Sequence, residues 1–220
     1  MRRAAVLVAG LNVLAGPGVA QCLTAANLDR GIVVTRQATG PTTVTRTGEG
    51  TRYQYTRRFD PDPNDGIAVD RYTDILRDGP FPIRESGSTT AVAITGQAPL
   101  DFNTRWSSEW RMSGARPRLD PLTRATRTVT EVSSSTNGLD DQRGRSRWQV
   151  TYTFLEEKSA RVGGCDYRVM GITAEHRDGT SAFLDRYVYF VDLDMAVQTQ
   201  WTELASGAQR TYGITGVRAR

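Results

Sequence analysis

Trp148-Gln149-Val150-Thr151-Tyr152-Thr153-Phe154 alternates large apolar or aromatic side chains with polar ones. Successive side chains of a β-strand point to opposite faces, so this period of two predicts a strand with one dry and one wet face. Residues 195–202 repeat the alternation near the C-terminus. The pattern favours antiparallel sheet, in which one face packs on a core and the other faces water.

Further segments rich in β-branched and aromatic residues predict nine more strands, at residues 31–37, 42–47, 52–57, 67–76, 89–95, 126–133, 167–175, 183–191 and 209–217. Asp178-Gly179 predicts a two-residue hairpin turn, and Asn137-Gly138 and Ser206-Gly207 predict two further turns. Residues 114–124, with two prolines, predict a loop between two halves of the chain. Trp106 and Trp110 share a face in a strand or a helix, so their segment stays open.

These elements together predict an all-β fold: a single antiparallel sheet domain with up-and-down connectivity, either a curved open barrel or a sandwich. One short N-terminal helix is expected, with Thr24 as its N-cap, residues 25–30 as its body and Gly31 as its stop. An outer-membrane barrel is not expected, because repeated lipid-facing strands with aromatic girdles are missing from the sequence.

The N-terminal residues have the three parts of a secretory signal peptide. Met1-Arg2-Arg3 is basic, residues 4–15 are mostly apolar, and small residues precede Gln21. The apolar stretch is shorter than the roughly 20 residues that span a bilayer. We therefore expect a signal peptide at residues 1–20 and one β-domain at residues 21–220, periplasmic or secreted and without a transmembrane segment.

Two cysteines, Cys22 and Cys165, remain after that cleavage. An even number of cysteines in an oxidising compartment predicts a disulfide bond between them. The bond would join the start of the mature chain to its last third, which also indicates a single domain.

The charge of the chain gives little guide to a partner. The formal net charge of +4 falls to +2 when the two arginines of residues 1–20 are removed. We expect no nucleic-acid partner for an exported chain of such balanced charge. The arginines between residues 111 and 127 and between 143 and 147 are interpreted as solvated, with binding to lipid headgroups or acidic glycans as the alternative.

No motif predicts a metal, a cofactor or a catalytic centre. Zinc needs three or four Cys, His or carboxylate ligands, and the chain has one histidine, His176. We interpret His176 as a solvated hairpin residue facing Ser181; a general base is the alternative, without a Gly-x-Ser-x-Gly motif beside it. Residues 60–66 resemble an EF-hand loop, but their glycine comes one place late, and Arg71 stands at the twelfth position in place of glutamate. They predict a polar turn.

Three carboxylate pairs occur in the sequence, and a pair of carboxylates is what glycoside hydrolysis requires. Glu156-Glu157 and Asp140-Asp141 are adjacent in sequence, so on a strand the two members point to opposite faces and cannot share a substrate. Asp192 and Asp194 follow an apolar strand and are interpreted as solvated loop residues.

The aromatic residues are the most informative candidates for binding. The chain has four tryptophans and eight tyrosines, many on alternating strand faces. Most are expected to form the core. The alternative is that some of them, Trp148, Tyr152 and Trp201 in particular, line a concave ligand surface.

Cys22-Leu-Thr-Ala-Ala-Asn-Leu-Asp-Arg-Gly-Ile32, Gly164-Cys165-Asp-Tyr167 and Tyr187-Val-Tyr-Phe-Val-Asp-Leu193 resemble segments of uncharacterised exported β-rich proteins of Gram-negative bacteria. The resemblance covers about 60 residues and implies an envelope location. By fold analogy it also suggests an open barrel similar to lipoprotein carriers, but without their lid helices.

Three functions follow as expectations. The first is a non-enzymatic protein that binds a hydrophobic or amphipathic ligand, lipid included, or another envelope protein on its sheet. The second is a structural or interaction module that pairs through an edge strand. The third is a hydrolase whose site has no sequence motif.

Overall fold

The computed structural model describes residues 22–37, 39–59, 67–92, 102–137 and 140–220. The expected signal peptide with Gln21, the polar turn at residues 60–66, the end of the strand at residues 89–95 and Gly138 of the Asn137-Gly138 turn lie outside the described residues.

About 70% of the described chain is β-strand. The strands are β1 (Ile32–Arg36), β2 (Thr42–Arg46), β3 (Thr51–Phe59), β4 (Ile67–Arg77), β5 (Phe81–Val92), β6 (Phe102–Met112), β7 (Arg124–Thr136), β8 (Asp141–Val162), β9 (Cys165–Arg177), β10 (Ala182–Phe190), β11 (Met195–Glu203), β12 (Gln209–Thr211) and β13 (Ile214–Ala219).

These thirteen strands form one antiparallel sheet that curls into a half-barrel. Strands β1 to β12 are neighbours in chain order, and β13 returns to pair with β1. The predicted all-β fold with up-and-down connectivity is confirmed. Of the two architectures that the sequence left open, the structure has the curved open barrel, and the sandwich is wrong.

The concave face of the sheet carries the core. Val150, Tyr152 and Phe154 of β8 are each at most 1% exposed and pair with inward residues of β9, Phe154 with Ile172 and Tyr152 with Ala174. On the convex face the Gln149 side chain donates to Thr128 Oγ1 in solvent. The alternation that the sequence showed in residues 148–154 therefore separates core from solvent as predicted.

The structure extends several predicted strands. β5 begins at Phe81, eight residues before the predicted strand at 89–95. The sequence did not predict its first half, because proline and glycine, here Pro82 and Gly87, are unusual inside a strand. Trp106 and Trp110 lie in β6, which settles the open segment as strand. The predicted strand at 209–217 is divided between β12 and β13, with residues 212 and 213 between them.

The N-terminal segment is held against the start of β9. Cys22 and Cys165 form the predicted disulfide, with their Cα atoms 5.6 Å apart. The backbone N–H of Leu23 donates to the Tyr167 hydroxyl at 3.2 Å. The expected helix is a five-residue 3-10 helix, Ala25–Asp29, which is too short to act as a lid over the concave face.

Candidate functional site

The concave face encloses a cavity of about 260 Å³ between the N-terminal strands β1 to β6 and the C-terminal strands β9 to β11. Its aromatic lining is Tyr53, Tyr55, Trp110, Phe183, Tyr187 and Trp201. Its ionisable lining, apart from tyrosines, is Arg36, Asp74, Arg84, Glu85, His176 and Asp185. The cavity therefore combines apolar surface with charged and hydrogen-bonding groups.

A β-bulge brings Trp201 to the cavity. Asp185 pairs with Trp201 and Tyr187 pairs with Gln198, so Thr199 is an extra residue in β11. An extra residue reverses the alternation beyond it. Trp201 consequently shares a face with Gln198 and lines the cavity, whereas the plain alternation of residues 195–202 groups it with Thr199. That grouping is wrong.

On the N-terminal wall, an arginine, a tyrosine and an aspartate form one cluster. The Arg36 guanidinium, on a residue 8% exposed, lies 4.8 Å from the ring centre of Tyr55. Burial raises the pKa of Asp74 to about 7, while a hydrogen bond with Tyr55 and the charge of Arg36 lower it. Burial likewise raises the pKa of Tyr55 well above its usual value.

On the opposite wall, His176 and Asp185 are buried together. His176 Nε2 lies 3.4 Å from Asp185 Oδ2, and Gln198 Nε2 donates to Asp185 Oδ1 at 2.7 Å. The His176 ring stacks on Phe183, with ring centres 4.2 Å apart. Burial, and after it the charge of Asp185, raises the pKa of Tyr187 well above its usual value.

The interpretation of His176 as a solvated hairpin residue facing Ser181 is wrong. His176 is 4% exposed and pairs with Phe183. The turn is longer than Asp178-Gly179 alone, because the Asp178 carboxylate accepts hydrogen bonds from the backbone N–H groups of Thr180 and Ser181. The strand pairing therefore begins at Arg177 and Ala182, and the register shifts by two residues.

Several buried polar atoms on the cavity-lining side chains have no hydrogen-bond partner within the described part of the chain, among them Thr42 Oγ1, Asp74 Oδ1, Trp110 Nε1 and His176 Nδ1. Buried polar atoms are normally hydrogen-bonded, so each unpaired one calls for an explanation. A bound molecule with polar groups would satisfy them.

The three aromatic residues singled out from the sequence lie at different depths. Trp201 lines the cavity. Trp148 lies behind His176, with ring centres 6.2 Å apart, and its Nε1 donates to Glu131 Oε2 at 3.1 Å. Tyr152 is 1% exposed and packs edge-on against Phe81. Of the three, only Trp201 is in position to touch a molecule in the cavity.

Sequence reasoning missed Arg36, Asp74 and Glu85. One signal was present: Arg36 follows Ile32 and Val34 at the same parity, so it continues an apolar strand face with a charge. A charge on an inward face needs compensation and therefore indicates a site. For Asp74 no comparable pattern exists, because apolar and polar residues do not alternate regularly in β4.

The other candidate residues lie away from the cavity. Asp192 accepts hydrogen bonds from the backbone and side chain of Arg168, and Asp194 accepts one from the Tyr189 hydroxyl. The exposed arginines 143, 145 and 147 alternate with the inward residues of β8 and lie on the convex face. Among the described residues, no group of three His, Cys, Asp or Glu side chains is placed to hold a metal ion.

The fold and the cavity define an antiparallel half-barrel protein with a small, mixed interior site. Comparisons of the chain with protein-family models, with curated proteins and with solved structures give no match. In the part of the chain that the structure describes, no helix has the length and apolar character needed to cross a membrane. The disulfide fits an extracytoplasmic location.

Proposed function

We propose that this chain is a non-enzymatic binding protein of the periplasm or cell exterior, whose cavity takes a small amphipathic ligand. One observation carries the proposal: aromatic rings and partly unsatisfied polar groups line a single cavity inside the half-barrel. Binding sites for small molecules have this composition, with apolar walls and a few polar groups that orient the ligand.

The size of the cavity limits the ligand. About 260 Å³ lies just below the ~300–1000 Å³ range of common ligand pockets. A single ring with a short polar arm fits such a space. A two-chain lipid does not, so the analogy with lipoprotein carriers supports the open barrel more than it supports their cargo.

Two features support the location. The disulfide between Cys22 and Cys165 needs an oxidising compartment in most organisms. Residues 1–20 have the sequence pattern of a signal peptide. The segments that resemble exported proteins of Gram-negative bacteria agree with both.

Pairing through an edge strand has less support. The outer strands of the sheet are β12, of three residues, and β13, of six. Short edge strands are one of the ways in which proteins prevent pairing with other chains.

A hydrolase is a second candidate, favoured by the buried pair His176 and Asp185, which resembles the base and orienting group of a catalytic triad. Among the described residues that line the cavity, none is serine or cysteine. Hydrolysis of p-nitrophenyl acetate, compared between the wild type and His176→Gln, tests this candidate. Turnover above the buffer rate that the variant loses would support it.

The binding proposal is tested with tryptophan fluorescence and native mass spectrometry. Trp110 and Trp201 line the cavity, so titration with 2-phenylethanol should change the tryptophan emission, and Trp201→Phe should reduce that change. Trp106→Phe is the matched control, because Trp106 packs on Tyr72 outside the cavity and should leave the response intact.

Native mass spectrometry of protein purified from its own periplasm should show one retained molecule of a few hundred daltons at most. If no molecule is retained and the fluorescence of the wild type does not respond, the cavity is not a small-molecule site and the proposal fails.

A further inference from the structure

The sheet has one long open edge besides those of its two outer strands. The first part of β8, residues 141–148, pairs with β7 throughout. Its pairing with β9 begins only at Gln149, which lies opposite Arg177. Within the described residues no strand lies on the other side of residues 141–148. In an antiparallel pair every second residue directs its N–H and C=O groups away from its partner, so this stretch offers backbone groups to a further strand.

Three arginines point outward along the same stretch. Arg143, Arg145 and Arg147 are exposed and alternate with the inward residues of β8, so all three lie on the convex face. Positions two apart on a strand are separated by about 6.8 Å, so the row is about 14 Å long. We call these three arginines and the open edge beside them the β8 edge.

The guanidinium groups of the β8 edge have no partners in the described part of the chain. None of the three forms an ion pair or a side-chain hydrogen bond with a described residue. Their neighbours across the strand pair with β7 are Ser134, Val132 and Thr130, which carry no charge. The row therefore presents its positive charge to solvent.

The nearby acidic residues compensate this charge only at one end. Asp140 and Asp141 precede Arg143 at the hairpin end of β8, and Asp141 lies in the same cross-strand row as Arg105 of β6. In the row of Arg145 the acidic residue is Glu109 of β6, which already binds Arg111 at 3.3 Å. The β8 edge therefore keeps an excess of positive charge.

Charged side chains on an edge strand discourage pairing with most other chains. A strand that carries the opposite charge is the exception. Because an extended chain has a side-chain period of two, acidic residues at alternate positions have the same spacing as the three arginines, and each would lie about 5 Å from one of them. A second copy of this chain would bring its own arginines to the edge, and like charges on facing strands repel.

We propose that the β8 edge binds an extended acidic segment of another protein by strand addition. The backbone of the segment would pair with residues 141–148, and acidic side chains at alternate positions would lie opposite Arg143, Arg145 and Arg147. In such complexes the backbone hydrogen bonds give affinity and the alternate side chains give specificity. The β8 edge does not line the cavity, so this inference is independent of the proposed ligand.

Peptides capped at both ends test the inference, by competition with fluorescein-labelled TETETET followed by fluorescence anisotropy. TETETET has glutamates at alternate positions, ETTETTE has the same composition without that spacing, and TKTKTKT has the opposite charge. An N-methylated TETETET keeps the side chains and lacks the N–H groups that strand pairing needs. Unlabelled TETETET should bind at least about fivefold more tightly than each of the others, since they lose charge pairs or backbone hydrogen bonds.

The other outcomes identify a different occupant or none. If ETTETTE or the N-methylated peptide binds as tightly as TETETET, the arginines form a general anion-binding surface and strand addition is wrong. If TKTKTKT binds as tightly, or if labelled TETETET shows no change in anisotropy, the β8 edge does not bind acidic segments. A dimer in size-exclusion chromatography that Arg145→Glu dissociates would make a second copy the occupant and would also overturn the proposal.

Arg145→Glu locates the site. Reversing the central charge replaces an attraction with a repulsion, so the affinity for TETETET should fall at least about fivefold. Arg186→Glu is the matched control, because Arg186 is exposed on β10 and its replacement changes the net charge equally. The control should change the affinity less than about twofold. Thermal unfolding of both variants verifies the fold, and equal affinities of the two folded variants would overturn the assignment.

Discussion

The hydroxyl of Tyr53 accepts a hydrogen bond of 3.0 Å from the backbone N–H of Ala196, 143 residues further along the chain. Both residues are buried, 5% and 1% exposed. On its outer side β11 pairs with β12 only at residues 200–202, so within the described residues Ala196 has no strand neighbour there. The side chain of Tyr53 takes that place and connects the two walls of the cavity.

Tyr53→Phe should lower the stability of the fold by about 1–3 kcal/mol, because it leaves the buried N–H of Ala196 without an acceptor. Urea denaturation followed by circular dichroism measures the change. Tyr189→Phe is the control: its hydroxyl donates to Asp194, whose side chain is 56% exposed and can bind water in its place. A smaller loss for Tyr53→Phe than for the control would contradict this role.

Replacing both cysteines with serine should lower stability by roughly 2–5 kcal/mol, because the bond between Cys22 and Cys165 restricts the unfolded chain. The first residues of the domain should then become sensitive to protease before the rest, since the hydrogen bond between Leu23 and Tyr167 is a weak restraint by itself. Limited proteolysis with mass spectrometry measures this order. Two free thiols in protein isolated without a reducing agent would contradict the bond itself.

The period of the sequence was enough to predict the class of fold. Residues 148–154 lie in a long strand with a paired strand on each side, and buried residues alternate with less buried ones along them. β6 was less readable, because polar residues occur at both parities: Ser108 is 7% exposed on the inward face, where it donates to Glu131. Buried polar contacts of this kind erase the contrast on which periodicity depends.

The cavity could be predicted only in part. The sequence singled out Trp201, but this side chain faces the cavity because Thr199 is an extra residue in β11. A bulge of one residue in a polar segment cannot be recognised from the sequence pattern. The meeting of Asp74 with Arg36 depends on the curl of the sheet as a whole, which is the sum of many small strand twists.

His176→Gln should cost about 1–3 kcal/mol of stability, where a solvated histidine would cost less than about 0.5 kcal/mol. The variant loses the stacking on Phe183 and leaves Asp185, which is 7% exposed, with fewer partners. Arg177→Gln is the control, because Arg177 is the next residue, points to solvent and forms an exposed ion pair with Glu175. Equal stability of the two variants in urea would contradict the buried position.

Asp74 should also give the stability of the protein a characteristic pH dependence. Its pKa is about 7 in the folded chain and about 3.9 in an unfolded one. Between these values the folded state holds a proton that the unfolded state has lost. Stability therefore falls as the pH rises from about 4 to 7, on the order of 1 kcal/mol per pH unit, and the penalty is fully present above pH 7.

Asp74→Asn removes this titration, because the amide stays neutral at every pH. Its stability relative to the wild type should therefore increase from pH 5 to pH 8, by up to a few kcal/mol. Other ionisable groups also line the cavity: Arg36, Glu85, His176 and Asp185. The effect of Asp74 is therefore read from the difference in unfolding free energy between variant and wild type at each pH. Asp141→Asn, on the exposed end of β8, should show a constant difference. Urea denaturation at steps of half a pH unit measures the unfolding free energy of each protein. Parallel curves of this free energy against pH for wild type and Asp74→Asn would mean that Asp74 is ionised throughout this range.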